Sequence, residues 1–298
     1  MESNNSPLAL VTGMVNLPGI PVTAGTAQYS LYEREETVLN VMIECRAAAD
    51  AVSTDAEVDA EILLVEVWDG DIQIIRPMTP AQLRAMASHY LGWNLAWPAD
   101  SGVIPLLLTP PDYPLTLTRA RYGLGRAGSD GKPRPLKIQV TYAAAVPTIV
   151  TVIPTVEFDP TEKLAPLGVH FRQDVFTYTE TATGERKVAD LLRNTNATAV
   201  KELLFNTSVG TFVNVTVQQG TELRYYQTRP TVLDAVLRKA GLTAIVGRQS
   251  VLFNTLNDPS SELTLMGKPP AEVTVNWGVA PGASDIIRVM KYNGPVSW

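Results

Sequence analysis

The 298-residue chain holds one cysteine, two histidines and few charges, and each scarcity removes a class of function. With Cys45 alone there is no intrachain disulfide, and cysteine-rich metal motifs are excluded. Cys45 lies in the run Val41-Met42-Ile43-Glu44-Cys45, where burial is expected. His89 and His170 are too few for the histidine and carboxylate cluster that a metal-dependent β-barrel enzyme needs. His89 falls on a predicted helix and reads as a hydrogen-bonded or exposed side chain rather than a ligand. No Gly-x-Ser-x-Gly elbow occurs, and no histidine stands near Cys45 in sequence, so nucleophilic catalysis has no starting point. Charged residues make up 18% of the chain against 45% apolar ones, so much of the surface is neutral and suited to coverage by partners. The formal charge of -6 argues against the concentrated basic face that phosphate binding requires, so no direct nucleic-acid binding is expected.

Long apolar runs are missing too. Tyr142 to Val156 is the most apolar segment, but Pro147 and Pro154 interrupt it and it falls short of the ~20 residues of a membrane-spanning helix. Met1-Glu2-Ser3-Asn4-Asn5 has no Lys or Arg ahead of its mildly apolar stretch, unlike a secretory signal, and residues 1–26 are expected to form an extended arm. The sequons at Asn196, Asn206 and Asn214 therefore read as ordinary strand and loop residues.

What the chain does have is period-two alternation of Val, Thr, Ile and Tyr, punctuated by 22 prolines and 20 glycines. This predicts an all-β fold with strands over residues 37–43, 62–68, 115–121, 136–142, 200–205, 211–217, 262–266, 272–277 and 286–292. Two short helices are expected, each opening on a proline whose missing N–H would be unpaired there anyway. The first runs from Pro80 to Leu91 with Thr79 as N-cap, the second from Pro230 to Ala240 ending at Gly241.

The helices mark an internal repeat in which residue n matches residue n plus 150. Val65, Val67 and Gly70 fall on Val215, Val217 and Gly220, and Pro80, Leu83 and Ala85 on Pro230, Leu233 and Ala235. Leu136, Val140 and Tyr142 fall on Ile286, Met290 and Tyr292, and Leu115-Thr116-Leu117 finds Leu263-Thr264-Leu265 two residues out of register. The reading is two barrels in tandem, one large barrel being the alternative. The arm (1–26) precedes a first barrel (27–146), a proline-rich connector (147–168) and a second barrel with a C-terminal tail (169–298).

Other candidate motifs give way to structural readings. Gly123-Leu124-Gly125-Arg126-Ala127-Gly128 has the spacing of a dinucleotide loop but leads into Lys132-Pro133-Arg134-Pro135, a poor helix start, so a surface loop is expected. Asp69 and Asp71 flank Gly70, and Asp55, Glu57, Asp59 and Glu61 alternate upstream; a turn and the solvated face of a strand account for them without calcium or paired acid chemistry. Trp68, Trp93, Trp97, Trp277 and Trp298 read as core and interface packing, the last anchoring a docked tail. No catalytic, cofactor-binding or metal residue is assigned, and no enzyme activity or cofactor is expected.

Through Val65-Glu66-Val67-Trp68-Asp69-Gly70-Asp71-Ile72-Gln73-Ile74-Ile75 and Thr79-Pro80-Ala81-Gln82-Leu83, the chain resembles the double jelly-roll major capsid proteins of tailless, internal-membrane-containing icosahedral dsDNA phages, the corticovirus-like branch of the adenovirus-type lineage. The apolar Val103 to Leu108, the strand 136–142 and the order of elements in 185–292 extend the likeness. The resemblance implies two tandem jelly-roll β-barrels, each with one short helix, in a homotrimer of pseudo-hexagonal outline. Trimers would tile a virion shell over the internal membrane, touching neighbouring capsomers, minor or second coat proteins and the membrane. The related arrangement, a single-barrel subunit with or without a small second barrel, is left open by the long connector. A β-sandwich receptor- or carbohydrate-binding protein, a spike or adhesin, is the alternative function. It would share the composition but gain little from duplication. A carboxylate-based β-sandwich hydrolase is the third reading.

Overall fold

The structure, a computed structural model, describes residues 13–30, 36–69, 72–90, 98–108, 136–163, 170–192, 197–253 and 262–292. In chain order these form β1 (Gly13–Asn16), β2 (Ile20–Pro21), β3 (Thr26–Ser30), β4 (Glu36–Ala47), α1 (Asp55–Glu61), β5 (Ile62–Asp69), β6 (Ile72–Met78), α2 (Pro80–Tyr90), β7 (Val103–Leu107), β8 (Leu136–Tyr142) and β9 (Ile149–Lys163). The second half holds β10 (His170–Glu180), β11 (Gly184–Lys187), β12 (Ala199–Asn206), β13 (Thr211–Gln219), β14 (Glu222–Thr228), α3 (Pro230–Lys239), β15 (Arg248–Leu252), β16 (Leu263–Thr264), β17 (Ala271–Val279) and β18 (Gly282–Tyr292).

The halves share one topology. In the first, the sheets run β1-β9-β4-β7 and β3-β8-β5-β6; in the second, β10-β18-β12-β15 and β11-β17-β13-β14. With β2 and β16 set aside as short additions, the eight strands of each half follow the same spatial orders, 1-8-3-6 and 2-7-4-5. That pattern of two facing four-stranded sheets is a jelly roll, so the all-β, two-barrel reading holds. The hairpins that precede the helices match residue for residue. In β5–β6, Val65, Val67, Trp68 and Asp69 pair with Met78, Ile75, Gln73 and Ile72. In β13–β14, Val215, Val217, Gln218 and Gln219 pair with Thr228, Tyr225, Leu223 and Glu222, each 150 positions later, with the same two bulges.

Three expectations are corrected. Residues 147–168 are not a connector: 149–163 are β9, a central strand between β1 and β4. Prolines misled the reading, yet Pro154 lies opposite Ile43 while its carbonyl accepts the amide of Leu17 at 2.8 Å, so it keeps an acceptor role in the ladder. Residues 13–21 of the expected arm are β1 and β2, paired on β9. The terminal match also shifts, because β8 occupies the place of β17, not of β18, and β9 is the counterpart of β18. Residues 1–12, the strand expected over 115–121, the loop 123–135 and the tail 294–298 lie outside the described residues.

The first barrel carries an additional helix. Asp55, Glu57, Asp59 and Glu61 lie on α1, not on a strand face. Thr54 opens it with a capping box: its hydroxyl accepts the Glu57 amide at 3.3 Å, and its own amide donates to the Glu57 carboxylate at 2.7 Å. Thr79 and Gln82 make the same reciprocal pair at the start of α2.

Candidate functional site at the barrel junction

Two sheets, one from each barrel, fuse side by side. β6 of the first runs parallel to β10 of the second, with Ile75 opposite Gln173, giving a nine-stranded sheet β15-β12-β18-β10-β6-β5-β8-β3 with β16 appended to β12. Along β12 and the adjoining stretch of β18 both faces are covered. Leu203, Phe205 and Ile286 pack into the second barrel's core, whereas Leu204, Ile287 and Val289 pack into a cluster that includes Val65, Ile75, Leu83 and Met86 of the first. This explains why β12 lacks alternating exposure, being buried from Ala199 through Phe205.

Burial on both faces forces the charges of β12 to find partners inside. A bulge between Val200 and Glu202 places Lys201 and Glu202 toward the same neighbour, the C-terminal end of α2. The Lys201 ammonium sits 4.1 Å from the centre of the Tyr90 ring, whose hydroxyl donates to Glu202 at 3.1 Å. Ser250 also donates to Glu202. His89, fully buried, completes the set: Nδ1 is 2.5 Å from the carbonyl oxygen of Thr243, and Nε2 is 2.9 Å from Oε1 of Glu202.

A carbonyl can only accept, so Nδ1 carries a proton. An ionised carboxylate opposite Nε2 calls for a second, and the pair is an imidazolium–carboxylate contact. For His89, burial alone favours the neutral ring, but the charge and hydrogen bond of Glu202 together with the Thr243 carbonyl outweigh it and raise the pKa. For Glu202, burial favours the protonated acid, but His89, Lys201 and Ser250 hold the pKa down. The backbone joins in, the Thr243 amide donating to the His89 carbonyl at 3.1 Å. Helix α2 of one barrel is thus latched into the next.

A second ion pair lies nearby on β10. Asp174 is 1% exposed and receives Nε and Nη2 of Arg288 at 2.7 and 2.6 Å, while Nη1 of Arg288 donates to the Leu191 carbonyl at 2.6 Å. Arg76 of β6 stands 3.7 Å from the same carboxylate, bringing first-barrel charge to it across the parallel junction. The side-chain Nε2 of Gln173 donates to the Leu107 carbonyl at 3.1 Å.

Of the residues weighed for chemistry in the sequence, His89 enters the junction as an ion-pair partner, and Asp55 and Asp59 of α1 both face Arg84 of α2. Cys45 is buried in β4 with its thiol pKa raised to about 12, chiefly by burial. Asp69 ends β5, while Asp71 lies outside the described residues. Trp277 is buried with its ring 5.7 Å from that of Phe212, edge to face. Trp93, Trp97 and Trp298 also lie outside the described residues. Glu202, Lys201, Asp174 and Arg288 were missed in the sequence. In β12 the available signal was Lys201-Glu202 set between Ala199-Val200 and Leu203-Leu204-Phe205, whereas β10 and β18 carry other charges that mask Asp174 and Arg288.

No family model matches the sequence, and no curated protein matches it. Solved structures do match in three dimensions. The chain is similar to the major capsid protein P2 of bacteriophage PM2, with a TM-score of 0.76, 14% identity, and coverage of 96% of this chain and 99% of that one. The atomic structure of Sulfolobus turreted icosahedral virus includes a chain that matches with a TM-score of 0.62 at 8% identity, over 95% of this chain and 91% of that one. The PBCV-1 virus capsid matches at 0.59 and 10% identity, over 95% and 94%. At these identities the likeness establishes the architecture: end to end, this chain has the double jelly-roll fold found in those viral major capsid proteins.

Proposed function

We propose that this chain is the major capsid protein of an icosahedral virus, a structural and non-catalytic subunit whose trimers tile the shell over an internal membrane. The observation that carries the reading is the superposition on the capsid protein P2 of bacteriophage PM2, which takes in nearly all of both chains. A binding module grafted onto one jelly roll would leave the second barrel without a counterpart. Two barrels of identical strand order, fused through one sheet, give a building block with two similar outward faces, and three such blocks present six barrels to a hexagonal net. The net charge of -6 suits a wall subunit rather than a genome-binding one.

Light scattering of the purified chain, followed by electron microscopy of the same fractions, tests the proposal. A species of three times the 32.3 kDa chain with a near-hexagonal outline is expected. A monomer at every concentration would count against the capsid role and favour the spike or adhesin alternative.

A further inference from the structure

The barrels repeat one sheet, β1-β9-β4-β7 and β10-β18-β12-β15, and its registers identify the positions that correspond. In β12 the residue after the bulge, Glu202, lies opposite Val289 of β18 and Leu252 of β15. In β4 the bulge falls between Val38 and Asn40, and Asn40 lies opposite Glu157 of β9 and Leu107 of β7. Glu202 therefore takes the place of Asn40, and Lys201 the place of the buried Leu39. The jelly roll builds this strand equally well with a leucine and a neutral amide, so the charged pair in β12 belongs to the junction and not to the fold. The helices differ in the same way: Lys239 and Ala240 stand 150 positions after His89 and Tyr90.

Buried ionic groups rarely add stability over well-packed apolar side chains of the same volume, but they restrict the arrangements that satisfy them. This junction needs such a restriction. Along β6 and β10, Ile75 opposite Gln173 is the registered pair among the described residues. Sliding parallel strands by two residues returns every side chain to its original face, and aliphatic packing has no direction, so the cluster of Leu204, Ile287 and Val289 with Leu83 and Met86 does not by itself oppose a slip. Two further polar contacts across the junction are permissive. Gln173 donates to a backbone carbonyl, a kind of acceptor that recurs along the chain, and Arg76 reaches Asp174 at 3.7 Å from a half-exposed position. His89, by contrast, is held at both ring nitrogens, by the Thr243 carbonyl and by Glu202, and Glu202 also accepts from Tyr90 and Ser250. A displaced α2 would leave these groups buried without those partners. We propose that His89, Tyr90, Lys201, Glu202 and Ser250 form an alignment device, which selects one placement of the first barrel along the second from several of similar apolar contact.

The test compares the full wild-type chain with one in which the five residues are made apolar, His89→Leu/Tyr90→Phe/Lys201→Leu/Glu202→Leu/Ser250→Ala. Nitroxides on Gln28→Cys of β3 and on Val246→Cys, exposed sites in the first and second barrels, report the distance between barrels by double electron–electron resonance, native Cys45 being buried. Labelled chains are diluted into unlabelled ones so that distances within one chain dominate. The wild type is expected to give one narrow distance. The apolar variant is expected to unfold cooperatively in urea, yet to give a broadened or doubled distribution, with a component displaced by up to about 7 Å, the length of two residues in a strand. Should that variant not fold, Lys201→Leu/Glu202→Asn, which installs the residues that β4 carries at these places, is expected to broaden the distribution in the same way. A single narrow distance at the wild-type value in either folded variant overturns the proposal, because the strand ladder and the apolar cluster would then place the barrels by themselves.

Discussion

At the scale of single residues, the junction is held by charges that a β-strand would ordinarily keep in water. His89, Glu202 and Lys201 are each fully buried, and such groups persist only when partners offset their desolvation. The raised pKa of His89 makes its contribution to stability fully present below the unfolded value near 6.5, and lost as pH rises through the folded value. The lowered pKa of Glu202 works in the opposite sense: its contribution is present above the unfolded value near 4.5 and lost as pH falls through the folded one. The latch is therefore strongest between these limits. Urea unfolding of wild type and His89→Asn across pH 5 to 9 should show a gap that is widest on the acid side of that range and narrows as pH rises; parallel profiles would remove His89 from the linkage. Removing one partner from Asp174 and Arg288 is expected to cost about 3–5 kcal/mol, since Arg288→Met leaves a buried anion without its two-point partner while Arg76 stands 3.7 Å away. Chemical denaturation measures that loss directly. None of these partnerships was legible in the sequence, because a lysine beside a glutamate in β12 reads as a solvated face until burial on both sides is known.

At the scale of elements, periodicity and helix punctuation located what is local and missed what depends on neighbours. The strands at 62–68, 136–142, 211–217 and 272–277 were legible because one face of each is core and the other is not, as the strict alternation along β8 shows. Helices α2 and α3 were legible from their opening prolines. Helix α1 was misread because acids at every second position imitate a strand, although the Thr54 and Glu57 spacing of a capping box was there to be read. This short helix also starts the strand that was taken for a linker. The carboxylate of Glu61, at the end of α1, accepts the amides of Thr148 and Ile149 at 2.9 and 2.8 Å as β9 begins. Glu61→Gln would turn an amide donor toward one of those amides and is expected to cost about 1–3 kcal/mol, more than the ~1 kcal/mol expected for Thr54→Ala at the cap. Thermal unfolding of the two variants side by side checks the order, and equal losses would mean that Glu61 serves only α1.

For the whole molecule, the repeat was legible only where geometry forbids insertions. From Val65 to Leu83 the bulged hairpin and its helix fix each residue against the next, so the 150-residue offset survives intact in the second barrel. Beyond the helix the halves change loop length, and an ungapped match then aligns β8 with a strand one place too far along the fold. What no repeat could reveal is that the barrels share a core. Phe171, Leu204, Leu237, Leu252, Ile287 and Val289 of the second barrel belong to the same buried cluster as the interior of the first. Cutting the chain between β9 and β10 would expose that apolar face, at roughly 25 cal/mol for each Å² returned to water, and would strand Glu202 without His89. The intact chain is accordingly expected to unfold in one cooperative calorimetric transition despite its two barrels, and chains ending after Lys163 or starting at His170 should not fold alone. Two separable transitions, or a first half that is soluble and protease-resistant by itself, would show instead that the junction is an interface between independently stable barrels.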